Sequence, residues 1–133
     1  MERNEIDALG SSLRRINQKL LKTKVNEKEV VKVWYQGGEP YFDLFVELQE
    51  QQVKWLQFTL RGYSLWWNEQ RQRWETGKTN EMQTEENHLY PTSAIITPDV
   101  KLNVPFLELT QEILKTRTGE EIFDKMLLLF GDC

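Results

Sequence analysis

The chain has 133 residues, of which 39% are hydrophobic and 29% are charged, and its net charge is −4. This length is typical of one domain, which buries about 68% of the surface that its unfolded chain exposes. The apolar fraction excludes a disordered chain, and the single cysteine excludes a disulfide framework within the chain. The negative net charge argues against a duplex nucleic-acid binder, which needs a concentrated positive field.

The beginning of the sequence carries no targeting signal. The first five residues are mostly polar or charged, and no apolar segment of the signal-peptide type follows them. No stretch approaches the ~18 apolar residues that a membrane span requires. We therefore expect a cytoplasmic protein that does not associate with a membrane.

The first predicted element is an amphipathic helix over residues 4–23. Apolar residues recur there every three or four positions, which places them on one helical face: Ile6, Leu9, Leu13, Ile16 and Leu20. Asn4 is a suitable cap for the start of this helix.

A period of two predicts a sheet over residues 29–76. Apolar side chains occupy alternate positions in two successive segments: Phe42, Leu44, Val46 and Leu48, then Leu56, Phe58 and Leu60. Gly37-Gly38, Gly62 and polar turns separate the strands, which predicts an antiparallel meander of four to five strands. The face that carries Phe42 and Leu56 is the more apolar, so we expect the helices to pack on it.

Residues 77–98 show no clear period and predict an irregular loop with a short strand at 93–97. Helical spacing returns over 104–117, after the capping residue Asn103, and over 119–130. Thr118 and Glu121 have the spacing of a capping box at the start of the last helix. A helix, a run of strands and two further helices together indicate a single α+β domain over residues 1–133, with helices on one sheet face.

Catalytic and metal-binding signals are weak throughout the sequence. His88 and Cys133 are the only histidine and the only cysteine, and nothing in the sequence places them together. Residues 76–79, Thr-Gly-Lys-Thr, resemble the end of a phosphate-binding loop, but Gln72 stands where that motif needs glycine. The carboxylates lack metal-ligand spacing. We therefore expect a protein that is not an enzyme and that holds no cofactor and no metal.

The aromatic content is the least routine feature of the sequence. Five Trp, four Tyr and six Phe occur in the chain, mostly in the predicted strands. Strand alternation puts several aromatic and arginine side chains on or near the face opposite the predicted core, and these form the candidate binding surface: Tyr41, Phe45, Trp55, Arg61, Trp67, Arg71 and Arg73.

Three interpretations of this surface compete. The aromatic residues could support the sheet by cross-strand packing, anchor a protein interface, or stack on the bases of single-stranded nucleic acid. We favour a small non-enzymatic interaction domain of the adaptor, accessory or immunity type, which forms a homodimer or binds a protein partner. The alternative is a small ligand or single-stranded nucleic acid on the same surface. If the loop 77–98 covers this face, the surface is ordinary core.

Overall fold

The structure, a computed structural model, describes residues 1–16, 22–25, 28–79 and 96–131. These ranges contain three α-helices: α1 (Arg3–Ser12), α2 (Val104–Lys115) and α3 (Glu121–Leu128). They also contain eight β-strands: β1 (Arg14–Arg15), β2 (Lys22–Val25), β3 (Lys28–Gln36), β4 (Asp43–Gln49), β5 (Gln52–Leu60), β6 (Tyr63–Asn68), β7 (Arg73–Thr79) and β8 (Ile96–Pro98). The α+β class predicted from the sequence is confirmed.

The described strands form one antiparallel sheet. Its order is β1-β3-β4-β5-β6-β7-β8, and β2 pairs with β3 on the edge that β1 also uses. Strands β3 to β7 are a meander, in which each strand pairs with the next. The meander of four to five strands predicted for residues 29–76 corresponds to β3–β7, but the whole sheet has more strands than predicted, since β1, β2 and β8 extend it beyond that segment.

Two-residue turns fix the register of the central hairpins. Glu50 and Gln51 join β4 to β5, and Arg61 and Gly62 join β5 to β6, with a positive φ at all four positions. This geometry matches the twist of antiparallel strands and holds them in register.

The core lies between one sheet face and the three described helices. The alternating residues predicted for this face are almost completely buried: Phe42, Leu44, Val46, Leu56, Phe58 and Leu60. Helical side chains pack against them, from α1 (Ile6 and Leu9), α2 (Phe106, Ile113 and Leu114) and α3 (Phe123 and Met126). The predicted helix-facing side of the sheet is therefore confirmed.

The first helix is much shorter than predicted. It begins after Glu2, rather than at an Asn4 cap, and ends at Ser12. From Leu13 the backbone is extended, because the following residues pair with the edge of β3 and gain ladder hydrogen bonds. Lys22–Val25 also belongs to the sheet, and Leu20 lies outside the described residues. The predicted helix over 4–23 is thus wrong beyond residue 12.

The two C-terminal helices are present, but only one of the predicted caps is correct. The Asn103 side chain accepts a hydrogen bond from the Phe106 N–H and caps α2. Thr118 instead donates its hydroxyl to the Lys115 carbonyl, within the turn that ends α2. Because Gly119 then has φ of +105°, α3 begins only at Glu121, and its N-cap residue makes no side-chain cap.

The predicted irregular segment 77–98 is ordered at both ends. Its first three residues extend β7 to Thr79, and its last three form β8, which pairs with β7. The predicted short strand at 93–97 overlaps β8 at two residues, while 93–95 lie outside the described residues, as does the rest of the loop from 80.

Candidate functional site

The sheet face opposite the helices carries aromatic side chains in two adjacent rows, and we call these rows the second face. Directly paired residues in an antiparallel sheet lie on the same face. Across β3 to β7 the first row consists of Trp34, Phe45, Gln57, Trp66 and Glu75. The second row consists of Lys32, Glu47, Trp55, Asn68 and Arg73. The two rows therefore combine large apolar groups with charges of both signs.

The four aromatic side chains of the second face are half-buried. Trp34, Phe45, Trp55 and Trp66 all have intermediate exposure. A third row, beside Trp34 and Phe45, is more deeply buried and includes Ser64, which is 0% exposed. The accessible part of this side of the sheet is therefore centred on the two rows of the second face.

The start of β8 covers part of this side of the sheet. A Cβ at Gly77 would lie 2.9 Å from the Ile96 side chain and 3.1 Å from the Trp66 ring. These two side chains thus converge above Gly77, where only a glycine leaves room for them. Ile96 belongs to the segment 77–98, which is predicted as an irregular loop, so one end of that segment contacts the sheet.

A tryptophan and a carboxylate form a polar contact at the rim of the second face. The Trp34 indole Nε1 donates to an Asp43 carboxylate oxygen at 3.2 Å. Burial raises the pKa of the Asp43 carboxyl, and the hydrogen bond from Trp34 only partly opposes this. The contact fixes the orientation of the indole, which leaves its ring to face solvent in part.

A cleft of about 480 Å³ lies beside Trp55. Trp55 and Val30 supply its apolar lining, and Glu47, Asn68 and Glu69 supply polar groups. Lys54 also lines the cleft and pairs with Glu69 at 3.6 Å. This combination suits the insertion of one side chain or a small ligand that has both an apolar and a polar part.

A β-bulge shapes this cleft. Trp55 pairs with Glu47, but Val53 pairs with Leu48, so Lys54 is an extra residue in β5. The simple alternation in the sequence placed Val53 on the same face as Trp55. The bulge instead turns Val53 into the core, where it is 6% exposed.

Of the predicted surface aromatics, Phe45 and Trp55 lie on the second face and Trp67 does not. Trp67 pairs with Leu56 and is 8% exposed within the core, so its predicted face was wrong. Tyr41 is half-buried in the β3–β4 turn, outside the strand ladder, with φ of 59°. Trp34 and Trp66 also lie on the second face, although they were not among the predicted surface residues. A two-residue turn at Arg61 and Gly62 is the signal that places Trp66 opposite Gln57.

The predicted arginine residues are not brought together. Arg61 lies in the β5–β6 turn, where its guanidinium donates hydrogen bonds to the carboxylates of Glu39 and Glu5, and these bonds raise its pKa. Arg71 lies in the β6–β7 turn and pairs with Glu75 at 3.3 Å. Only Arg73 lies in a row of the second face, where it is exposed.

The part of the chain that the structure describes carries neither a metal-binding group of side chains nor a membrane-spanning helix. No group of three His, Cys, Asp or Glu side chains is placed there to hold a metal ion, and no helix there is long and apolar enough to cross a membrane. His88 and Cys133 lie outside the described residues. Comparison with protein-family models, curated proteins and solved structures finds no match to the chain.

Proposed function

We propose that this protein is a non-enzymatic interaction domain, of the adaptor, accessory or immunity type, that binds another protein molecule through its second face. The observation that carries the proposal is that two adjacent rows of one sheet face hold four large aromatic side chains: Trp34, Phe45, Trp55 and Trp66. The described helices pack on the other side of the sheet and leave these aromatic rings without a helical cover. We place the protein in the cytoplasm, in keeping with its single cysteine.

The energetic argument rests on half-buried aromatic rings. Full burial of a large apolar side chain contributes about 1.5–3 kcal/mol, and each of these rings reaches only part of that value in the monomer. A docked partner would bury the remainder. Tryptophan and tyrosine are also the residues that most often dominate the affinity of protein interfaces, typically at the centre of a polar rim.

The charges of the second face favour a second copy of this chain as the partner. Lys32 and Arg73 stand in the same rows as Glu47 and Glu75, so positive and negative groups are balanced there. A two-fold axis through such a face brings cations of one copy against carboxylates of the other. The cleft beside Trp55 then receives a side chain of the second copy.

Single-stranded nucleic acid is a weaker alternative in this arrangement. A stacking platform needs cations along the path of the phosphates. Arg61 and Arg71 are already paired with carboxylates and lie in turns, and the chain carries a net charge of −4. One observation supports the alternative of a small ligand, namely the cleft of about 480 Å³ beside Trp55.

The proposal is tested by the mass of the protein in solution. We expect a wild-type dimer by light scattering and sedimentation, and a monomer for Trp55→Asp with the far-ultraviolet circular dichroism of the wild type. Tyr63→Asp is the matched control, because it places the same charge at an exposed aromatic residue on the helix side of the sheet. A wild type that stays monomeric at high concentration, or equal dissociation by both variants, would refute self-association through this face.

A further inference from the structure

Exposed apolar side chains gather where α2 begins, on the helix side of the sheet. Met1, Tyr63, Leu102 and Val104 are 54%, 41%, 40% and 46% exposed. Met1 and Tyr63 line a groove of about 450 Å³, while Leu102 and Val104 flank Asn103, which also lines it. We call this feature the α2 groove. Exposed apolar side chains that cluster around a groove are typical of binding sites.

The floor of the α2 groove is aromatic and is held in place by the core. The Tyr63 and Phe106 rings are 5.6 Å apart, and Phe106 packs in turn on the buried Phe58 at 6.0 Å. Leu60 and Leu109 complete the apolar lining. Since these side chains come from two strands and a helix that share one core, the groove is formed before any ligand binds.

Buried hydrogen bonds also fix the backbone at the start of α2. The Thr76 hydroxyl donates to Asp99 and accepts from the Asn103 N–H, each at 2.8 Å, and Thr76 is 3% exposed. Asn103 then caps α2. These bonds tie the loop before α2 to β7 and keep the wall of the groove at a fixed distance from its floor.

Two exposed lysines neighbour residues that line the α2 groove. Lys78 pairs with Tyr63 across the β6–β7 ladder, so it lies beside the tyrosine on the same side of the sheet, and it is exposed. Lys101 is also exposed, two residues before Asn103, and within the described residues neither lysine forms an ion pair. Arg61 lines the groove, but its charge is neutralised by Glu39 and Glu5, at 2.7 Å and 2.8 Å.

We propose that the α2 groove binds a small amphiphile that carries a carboxylate head on an apolar tail. The tail lies along Tyr63, Phe106 and Leu109, and the head faces Lys78. The positive end of the α2 dipole lies at the groove and adds to the attraction of an anion there. The site is on the side of the sheet away from the second face, so it is independent of the proposed protein interaction.

Two amphiphiles with the same tail and opposite head charges test this proposal. Decanoate and decyltrimethylammonium are titrated below their micelle concentrations, by calorimetry and by NMR of the methyl groups. We expect saturable binding of decanoate at least fivefold tighter than that of the cation, with shifts at Leu60 and Leu109. Equal binding of both compounds, no saturable binding of decanoate, or shifts confined to other residues would overturn the proposal.

Charge-reversal variants then locate the head group. Lys78→Glu is expected to weaken decanoate binding about fivefold or more, because it reverses an exposed charge next to Tyr63. Arg14→Glu makes the same change at an exposed residue of β1, which lies at the opposite edge of the sheet from Lys78, and is expected to leave decanoate binding unaltered. Equal effects of the two variants would show attraction to the overall charge of the protein and would overturn the assignment to this groove.

Discussion

Arg117 connects the loop between α2 and α3 to the end of α1, and we expect its loss to be more costly than that of any exposed arginine. Its Nη1 donates to the carbonyl oxygens of Gly10 and Leu13, at 3.0 Å and 2.6 Å. The other side of its guanidinium pairs with both carboxylate oxygens of Glu120, which raises its pKa. The guanidinium carbon also lies 4.9 Å from the centre of the Phe123 ring.

The expected magnitude follows from these contacts. A hydrogen bond to a charged group contributes about 1.5–3 kcal/mol, and the cation–π contact adds about 0.5–1 kcal/mol. The ion pair with Glu120 adds less than about 1 kcal/mol, because the Glu120 side chain is 47% exposed. Water replaces part of what is lost at the two carbonyls, so we expect Arg117→Ala to lower the free energy of unfolding by about 2–4 kcal/mol.

Urea unfolding followed by tryptophan fluorescence and circular dichroism measures this loss. The free energy of unfolding of Arg117→Lys should lie between those of the wild type and Arg117→Ala, because lysine keeps the charge but cannot donate hydrogen bonds to the two carbonyls and the carboxylate at the same time. Arg71→Ala is the matched control, because Arg71 also pairs with a carboxylate but is 61% exposed, and it should cost less than about 0.5 kcal/mol. If Arg117→Ala costs no more than Arg71→Ala, the reasoning about α1 is wrong.

Three further predictions use the same unfolding assay. Phe58→Ala should lower the free energy of unfolding by about 3–5 kcal/mol. Phe45→Ala truncates a half-buried ring on the second face and should lower it clearly less. Equal losses would contradict the assignment of these two residues to opposite faces. Asn103→Ala should lower the free energy of unfolding by about 1 kcal/mol through the loss of a helix cap, and Thr118→Ala by less than about 0.5 kcal/mol. A larger loss for Thr118→Ala would indicate that Thr118 caps the last helix after all. Burial raises the pKa of the Asp43 carboxyl above its ordinary value of 3.8, so the folded state binds the Asp43 proton more tightly than the unfolded state. The wild type should therefore gain stability relative to Asp43→Asn as the pH falls from neutral towards 3.8. A stability difference between the two proteins that does not change with pH would contradict this.

The sequence was sufficient for the parts of the fold in which one local signal acts alone. Strict alternation around Leu44 and Phe58 identified the buried sheet face, because a half-buried strand must present its apolar residues at every second position. The Asn103 cap identified the start of α2. In both cases the local pattern and the tertiary packing favour the same structure.

Prediction failed where tertiary contacts outweigh a local pattern. The helical spacing of Leu13 and Ile16 continues that of Ile6 and Leu9, yet Leu13 leaves the helix and Ile16 donates its N–H to the Trp34 carbonyl. The edge of β3 needs backbone partners, and the residues after Ser12 provide them. The helical period of the apolar residues does not reveal that requirement.

The position of one tryptophan shows how backbone geometry decides the candidate site. Trp66 and Trp67 are adjacent, so one must enter the core and the other must lie on the second face, and composition does not distinguish them. The two-residue turn at Arg61 and Gly62 makes Leu60 the partner of Tyr63, and this register carries Trp66 to Gln57, in the row of Phe45. A turn one residue longer would exchange the two tryptophans, so that Trp66 would enter the core and Trp67 would lie on the second face. The same turn places Arg61 at the strand end, where it pairs with Glu5 and Glu39 and lies outside the aromatic rows.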